Sequence, residues 1–320
     1  MSILVFVEGS EGEIKNFSKE AICYASETGK LIGDNEIIAA VIGDYSDIDL
    51  ENLGFHGATK VINVNDEKLK ENQIGVFSEI LEEIIQSESA NLVIMTKSSF
   101  SDNVGARIAG KMDAVIVSNV VSLPDVSSGF LVRKSIFSGK AFATVSMSGE
   151  KRVIIIKRNA IEIHENGNKV PVNNITVKSN LSFNEKITDR KKAEGDILLD
   201  EAEIVVSGGR GLKGPENWGM IEELAKALGA ATGCSKPVSD SGWRPHHEHV
   251  GQTGVKVSPN LYIAIGISGA IQHLAGVNSS KVLVAINNDP DAPFFKAADY
   301  GIVGDAFEIV PKLIKKVRSL

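Results

Sequence analysis

The sequence predicts an α/β protein of two domains, residues 1–188 and 189–320. The first is a parallel sheet with an antiparallel extension; the second is a doubly wound domain of Rossmann-like or flavodoxin-like type. Three observations carry this expectation. Apolar runs alternate with amphipathic stretches in both halves, which is the pattern of strands buried on both faces and separated by helices. Between Lys178 and Ile197 the chain turns polar and charged, with little to bury, which places a linker there. In the second half every glycine cluster falls where an apolar run ends, the edge at which such sheets hold ligands. A chain of 320 residues, 43% of them hydrophobic, is long enough to bury two cores.

Taken in order, Ile3 to Val7 is an apolar run that reads as a buried strand, and the stretch near Ile14 to Thr28 reads as a helix. Strands follow at Ile37 to Ile42 and Val61 to Val64, then a helix near Ile74 to Ile85 and a strand at Leu92 to Met95. This alternation predicts parallel pairing with helices on both faces. After Arg107 to Ala114 the pattern changes. The β-rich runs Ala114 to Val121, Phe130 to Ser135, Ala141 to Ser146 and Val153 to Ile156 need hairpin-length connections and are expected as the antiparallel extension. Beyond the linker come a strand at Glu203 to Ser207, a helix at Asn217 to Leu228 and a strand at Leu261 to Ile265. A helix from Ser268 to Ala275, strands at Val282 to Ile286 and Tyr300 to Val303, and a closing helix from about Phe307 to Val317 complete the second domain.

Composition removes several classes of function. A net charge of −7 and a pI near 5.5 argue against a nucleic-acid partner, because such binding rests on clustered Lys and Arg. No apolar run approaches the roughly 20 residues that a membrane-spanning helix needs. Cys23 and Cys234 are too few for a disulfide framework and fit a reducing compartment. The opening MSILVFVEG is already a strand, so no leader is expected in the chain as it stands. The expected location is the cytoplasm, or the mitochondrial matrix if a leader has been removed.

The motifs point to an anionic, ring-bearing ligand. Gly266-Ile267-Ser268-Gly269-Ala270 joins a buried strand to a helix: the glycines admit a ligand close to the backbone, Ser268 is expected to cap the helix, and the first-turn amides face an anion. Gln272 and His273 lie one turn further on, where a ligand head beyond the phosphate would sit. Ser207-Gly208-Gly209-Arg210-Gly211 follows another strand and offers a forked cation at Arg210. Its offsets do not match the dinucleotide fingerprint G-x-G-x-x-G, which disfavours an ordinary nicotinamide site. Cys234-Ser235-Lys236-Pro237 adds a hydroxyl and a cation, and Val250-Gly251-Gln252-Thr253-Gly254 frames an amide and a hydroxyl suited to a heterocycle edge. Adjacent His246, His247 and His249, with Glu248, cannot all converge on one ion in a regular element, so no metal is expected. No nucleophile elbow supports a hydrolase.

With GGRGLKG, CSKP, VGQTG, GISGAIQH and AINND in this order within one domain, the sequence resembles the electron transfer flavoprotein alpha-subunit family, densely in the second half and by layout and the ILVFVEG strand in the first. The resemblance implies an electron carrier, not an enzyme with its own substrate, whose C-terminal domain binds one FAD per heterodimer. It implies that Arg210, Ser235 and Lys236 hold FAD and that Val250, Gly251, Gln252 and Thr253 line the flavin and ribityl chain, Thr253 at flavin N5. Ser268, Gly269, Ala270, Ile271 and Gln272 would receive the pyrophosphate and His273 the flavin C2 carbonyl, while Asn287 and Asp305 would hold the adenosine half. A beta subunit, packing with the N-terminal domain and holding AMP or a second FAD, is the implied partner. Acyl-CoA or other flavin dehydrogenases would donate, and a quinone oxidoreductase or other acceptor would receive. The family commonly has Arg where Lys236 stands, which keeps the charge and removes the planar stack on the isoalloxazine. A paralogous carrier of nitrogen-fixation, carnitine or bifurcating type, a self-sufficient FAD oxidoreductase, and a nucleotide-binding module stay as alternatives.

Overall fold

Most continuous apolar runs become buried parallel strands in the computed structural model, which describes residues 2–10, 12–66, 69, 73–176, 181, 198–199 and 202–319, Ser138 by its backbone alone. Packing divides the chain into two units, Met1–Arg190 and Lys191–Leu320. The expected linker, Lys178 to Ile197, lies outside the described residues apart from Leu181, as does the 188/189 boundary.

The first unit opens with β1 (Ser2–Val7), a short hairpin of β2 (Gly9–Ser10) and β3 (Glu13–Ile14), α1 (Asn16–Ile32), β4 (Ile37–Ile42), α2 (Asp47–Asn52) and β5 (Lys60–Val64). It continues with α3 (Ile74–Ser87), β6 (Ala90–Thr96), α4 (Ser99–Met112), β7 (Val115–Val120), β8 (Leu131–Ile136), β9 (Ala141–Ser146), β10 (Arg152–Ile156) and β11 (Val172–Ile175). The nine-stranded sheet runs β11-β5-β4-β1-β6-β10-β7-β8-β9. Successive β1 residues point to opposite faces, so Leu4 and Phe6 join one core cluster, while Ile3, Val5 and Val7 join the other. α3 and α4 cover the first face and α1 covers the second.

One expectation for this unit is corrected. β8 and β9 do pair antiparallel, and β8 pairs antiparallel with β7, but β10 lies parallel between β6 and β7. Val153 to Ile156 is therefore an interior strand, fully buried on both faces, and no part of the antiparallel extension. The chain makes the β8–β9 excursion and then returns to the parallel core. α2 and α4 were not among the expected elements. The α4 stripe consists of Val104, Gly105, Ile108, Ala109 and Met112, too small and broken to stand out against its polar neighbours.

The second unit contains β12 (Ile204–Gly208), α5 (Gly219–Leu228), β13 (Ala231–Cys234), α6 (Lys236–Asp240), β14 (Leu261–Ile265), α7 (Ile271–Val277), β15 (Val282–Asn287), β16 (Tyr300–Val303) and α8 (Ala306–Val317). All five strands are parallel in the order β13-β12-β14-β15-β16. Numbered within the unit this is 2-1-3-4-5, the flavodoxin-like order, and the direction of winding reverses between β12 and β14. One core lies under α5 and α8 around Val206, Ile221 and Val310, and the other around Val205, Tyr262 and Phe294. α7 starts later than expected. Ala270 is its N-cap and makes no side-chain cap, so Ser268 precedes the helix and does not cap it. Gly269 explains the delay: its φ of +82° is left-handed, and it packs against the Phe294 backbone, where a Cβ would come within 2.6 Å of Cα.

Candidate functional site

At the point of reversal two glycine turns meet backbone to backbone. Gly209 N–H donates to the Ile265 carbonyl at 2.9 Å and Gly211 N–H to the Gly266 carbonyl at 3.0 Å. No side chain fits between them, since a Cβ on Gly211 would stand 2.7 Å from Gly266 Cα. Gly266 itself has φ +63°. These glycines are therefore required by geometry, and they form a floor of bare backbone at the carboxyl edge of the sheet.

Further hydrogen bonds rim that edge. Ser235 N–H reaches the Gly208 carbonyl at 3.1 Å, and Val250 N–H reaches the Cys234 carbonyl at 2.9 Å. Gln252 N–H donates to the Gln272 carbonyl at 2.7 Å, which fastens the Val250–Thr253 turn to α7. The fastening is close, because a Cβ on Gly276 would stand 2.6 Å from Gly251 Cα. Asn287 Nδ2 donates to the Ile267 carbonyl at 3.0 Å, tying the β14 loop to β15.

The expected residues thus all come to one edge of the second unit, in two layers. Ser235, Val250, Gly251, Gly269 and His273 are buried. Arg210, Lys236, Gln252, Thr253, Ser268, Ala270, Ile271, Gln272 and Asp305 are exposed along the rim, with Asn287 half-buried between them. Asp305 is occupied locally, its Oδ1 accepting from Phe307 N–H at 2.9 Å as the N-cap of α8. The first-turn amides of α7 have no intrahelical acceptor. Among the described residues, the N–H groups from Ser268 to Gln272 donate to no backbone carbonyl.

The electrostatics beneath the rim are set by burial. His273 is 7% exposed, and burial pushes its pKa down to about 4, the nearby His249 adding to the fall and the Val250 carbonyl partly opposing it. Its Nε2 lies 2.8 Å from the Tyr262 hydroxyl, while its Nδ1 makes no hydrogen bond of good geometry, the Val250 carbonyl being the protein acceptor near the ring. Ser207 Oγ and His249 Nδ1 are likewise buried and unbonded. Orphaned polar atoms gathered at one edge mark a place built for a ligand that bonds them.

The histidine cluster resolves differently. Arg244 donates to both Glu248 oxygens, at 2.8 and 2.6 Å, and to Glu222 at 2.9 Å, with its guanidinium 5.4 Å from the Trp218 ring. Glu248 therefore belongs to a structural ion pair. Sequence reasoning missed Arg244, whose partner four residues on was the available signal. It also gave no role to Tyr262, which reads as an ordinary strand residue, or to Ser207, named only as the start of the Gly208–Gly211 turn. The first unit carries a separate open polar pocket of about 440 Å³, lined by Asp44, Asp47, Asn63, Asn65 and Asn174 among others, that includes none of these residues.

Comparison with known proteins gives the family. Residues 198–278 match the family described as "Electron transfer flavoprotein FAD-binding domain", and residues 3–180 match "Electron transfer flavoprotein domain". The chain is 36% identical to the electron transfer flavoprotein subunit alpha of Bacillus subtilis, over 99% of this chain and 98% of that one. This chain belongs to the electron transfer flavoprotein alpha-subunit family. The relative from Paracoccus denitrificans is 41% identical over 67% of this chain and 69% of its own. A probable mitochondrial electron transfer flavoprotein subunit alpha of Caenorhabditis elegans is 35% identical over 98% and 92%. The FAD-domain match covers both glycine turns, the Val250–Gly254 turn and α7, and ends before Asn287 and Asp305. Among the described residues no helix is long and apolar enough to cross a membrane.

Proposed function

We propose that this chain binds one FAD on the carboxyl edge of its second unit and serves as the flavin-bearing subunit of an electron carrier. The observation that supports this most is the meeting, at the winding reversal, of backbone too tight for any Cβ with unbonded amides from Ser268 to Gln272 and an unbonded His273 Nδ1. That donor set fits FAD in kind. Amides and Ser268 suit the pyrophosphate, Arg210 and Lys236 add cations, and Gln252 and Thr253 present donors and acceptors to a ring edge. Ser235, Val250 and Gly251 form the floor beneath them, and Ala270 and Ile271 bring α7 to the phosphates. Asn287 and Asp305 complete the adenosine end. When bound, FAD would supply reversible one- and two-electron chemistry; the chain's residues would orient it and exclude water from one face, and His273 would offer a hydrogen-bond donor to the ring.

The rim is an open face, and a beta subunit is the partner that covers it, holding AMP or a second FAD of its own. Flavin dehydrogenases, acyl-CoA dehydrogenases among them, donate electrons, and a quinone oxidoreductase or other acceptor receives them. The compartment is the cytoplasm or the mitochondrial matrix. The test is a visible absorption spectrum during stepwise reduction of the chain purified with its beta partner. One FAD per heterodimer, reduced in two one-electron steps, is expected. Two flavins per heterodimer would favour the bifurcating type. A colourless protein that cannot be reconstituted with FAD would overturn the reading.

A further inference from the structure

Tyr262 stands second in β14, the central strand of its sheet, with no exposed surface, its ring stacked against Phe294 at 6.3 Å between centroids and 6.0 Å from the His273 ring. A buried hydroxyl of this kind needs a partner. Burial holds the phenol protonated well above its ordinary range, so it has one proton to donate. The partner within reach is His273 Nε2, at 2.8 Å. Ser207 Oγ, on the neighbouring strand β12, lies near the same phenol as a second acceptor.

The two side chains therefore constrain one another. A neutral imidazole has one donor nitrogen and one acceptor nitrogen. If the phenol proton goes to Nε2, that nitrogen is the acceptor and the ring proton must sit on Nδ1. Nδ1 is the atom left buried and unbonded at the ligand edge. The opposite arrangement would place a bare lone pair there and turn the phenol proton away from the imidazole toward Ser207 Oγ.

We propose that Tyr262 is a positioning residue of the site: its hydroxyl fixes His273 in the Nδ1–H tautomer, so that a neutral donor, and not a lone pair, faces a carbonyl acceptor of the bound ligand. The identity of that ligand as a flavin rests on the function proposed above; the tautomer does not. A donor aimed at a ring carbonyl favours the reduced, more negative ring, whereas a lone pair opposes it. Tyr262 thus acts on reduction through His273 without touching the ligand.

The test labels the histidines of the full chain with 15N and reads the His273 ring nitrogens by NMR, His273→Gln serving to assign the signal. Wild type is expected to show Nδ1 protonated and Nε2 bare, and Tyr262→Phe to shift the ring toward a mixture of tautomers. A protonated Nε2 in wild type overturns the proposal even if the variant fails to fold, and an unchanged tautomer in Tyr262→Phe overturns it as well. In FAD-loaded protein with its beta partner, Tyr262→Phe keeps its FAD content and lowers the reduction potential; an unchanged potential removes the positioning role. Wild type that shows the expected tautomer yet takes up no FAD would refute the proposed function and leave the Tyr262–His273 assignment standing.

Discussion

Replacing Gly209 by alanine tests whether the floor of the site is held by backbone contact. The added Cβ would lie 2.7 Å from the Gly266 carbonyl carbon and 2.8 Å from Ile267 Cγ1, and nearer still to the Gly266 oxygen. Carbon atoms rest at about 3.5–4.0 Å, so the two turns must part by roughly 1 Å. Gly209 N–H to Ile265 at 2.9 Å and Gly211 N–H to Gly266 at 3.0 Å bridge that gap, and such a displacement breaks both. Two lost hydrogen bonds at about 1 kcal/mol each, with about 1–3 kcal/mol of overpacking, give a loss of roughly 3–5 kcal/mol. For a unit of about 130 residues the unfolding entropy is about 0.27 kcal/mol/K, so the melting midpoint falls by about 10 °C or more. Differential scanning calorimetry of the full chain reads this directly. Gly219→Ala is the control: a Cβ there meets nothing within 4 Å at the start of α5, and its midpoint is expected to hold or rise slightly. A Gly209→Ala protein melting within about 2 °C of wild type would refute the argument, because the turns would then be free to separate at no cost.

Glu20 is 3% exposed and accepts the N–H groups of Asn159, Ala160 and Ile161 at 3.1, 2.6 and 3.2 Å, so Glu20→Ala removes the acceptor of three part-buried bonds and should cost roughly 2–4 kcal/mol in a urea titration. A midpoint shift worth less than about 1 kcal/mol would show that water replaces the carboxylate without penalty. Arg244→Lys keeps the charge but loses the forked bond to Glu248, and is expected to destabilise by about 1–2 kcal/mol, measured the same way. His273 has its pKa lowered from 6.5 to about 4, so the unfolded chain binds its proton first; the stability it contributes is present above pH 6.5 and is lost as pH falls through 4, on the order of 3 kcal/mol at most. Stability curves of wild type and His273→Gln should accordingly converge toward acid pH, and parallel curves between pH 7 and pH 4 would contradict the assignment of a buried neutral imidazole. Lys236→Arg adds a planar cation at the exposed start of α6 and should raise the potential of the first one-electron step of bound FAD; unchanged potentials for both steps would show that Lys236 does not reach the ring.

Much of this site is legible in sequence because its requirements fall on backbone. Gly266 ends a continuous apolar run and Gly209 and Gly211 follow another within five residues, and that position puts them at the carboxyl edge of a parallel sheet, where the close approach of two turns leaves no residue but glycine. The errors arise where a local pattern permits two structures. Ser268 followed by Gly269 and an apolar stretch resembles a capped helix, yet the contact of Gly269 with Phe294, separated by more than twenty residues, postpones the helix to Ile271. Val153 to Ile156 follows a hairpin, and nearness in sequence suggested antiparallel pairing, although its unbroken apolar run is the mark of an interior parallel strand. β13, only Ala-Thr-Gly-Cys, has too little side chain to announce itself.

Tyr262 and Ser207 were hidden for a different reason. In LYIAI a tyrosine reads as bulk for the core, and in IVVSG a serine reads as the end of a strand; neither pattern says which polar atoms will meet. That depends on β12 pairing with β14 in the register Val205 to Tyr262 and on α7 folding back over both, so that a phenol in the sheet comes within 2.8 Å of an imidazole on the helix. The residues that touch a ligand announce themselves through glycine and polar turns, because the ligand needs backbone access. A residue that acts on the ligand through another must instead sit in the core, where the apolar pattern conceals it, and is found only once a buried atom without a partner, here His273 Nδ1, draws attention to it.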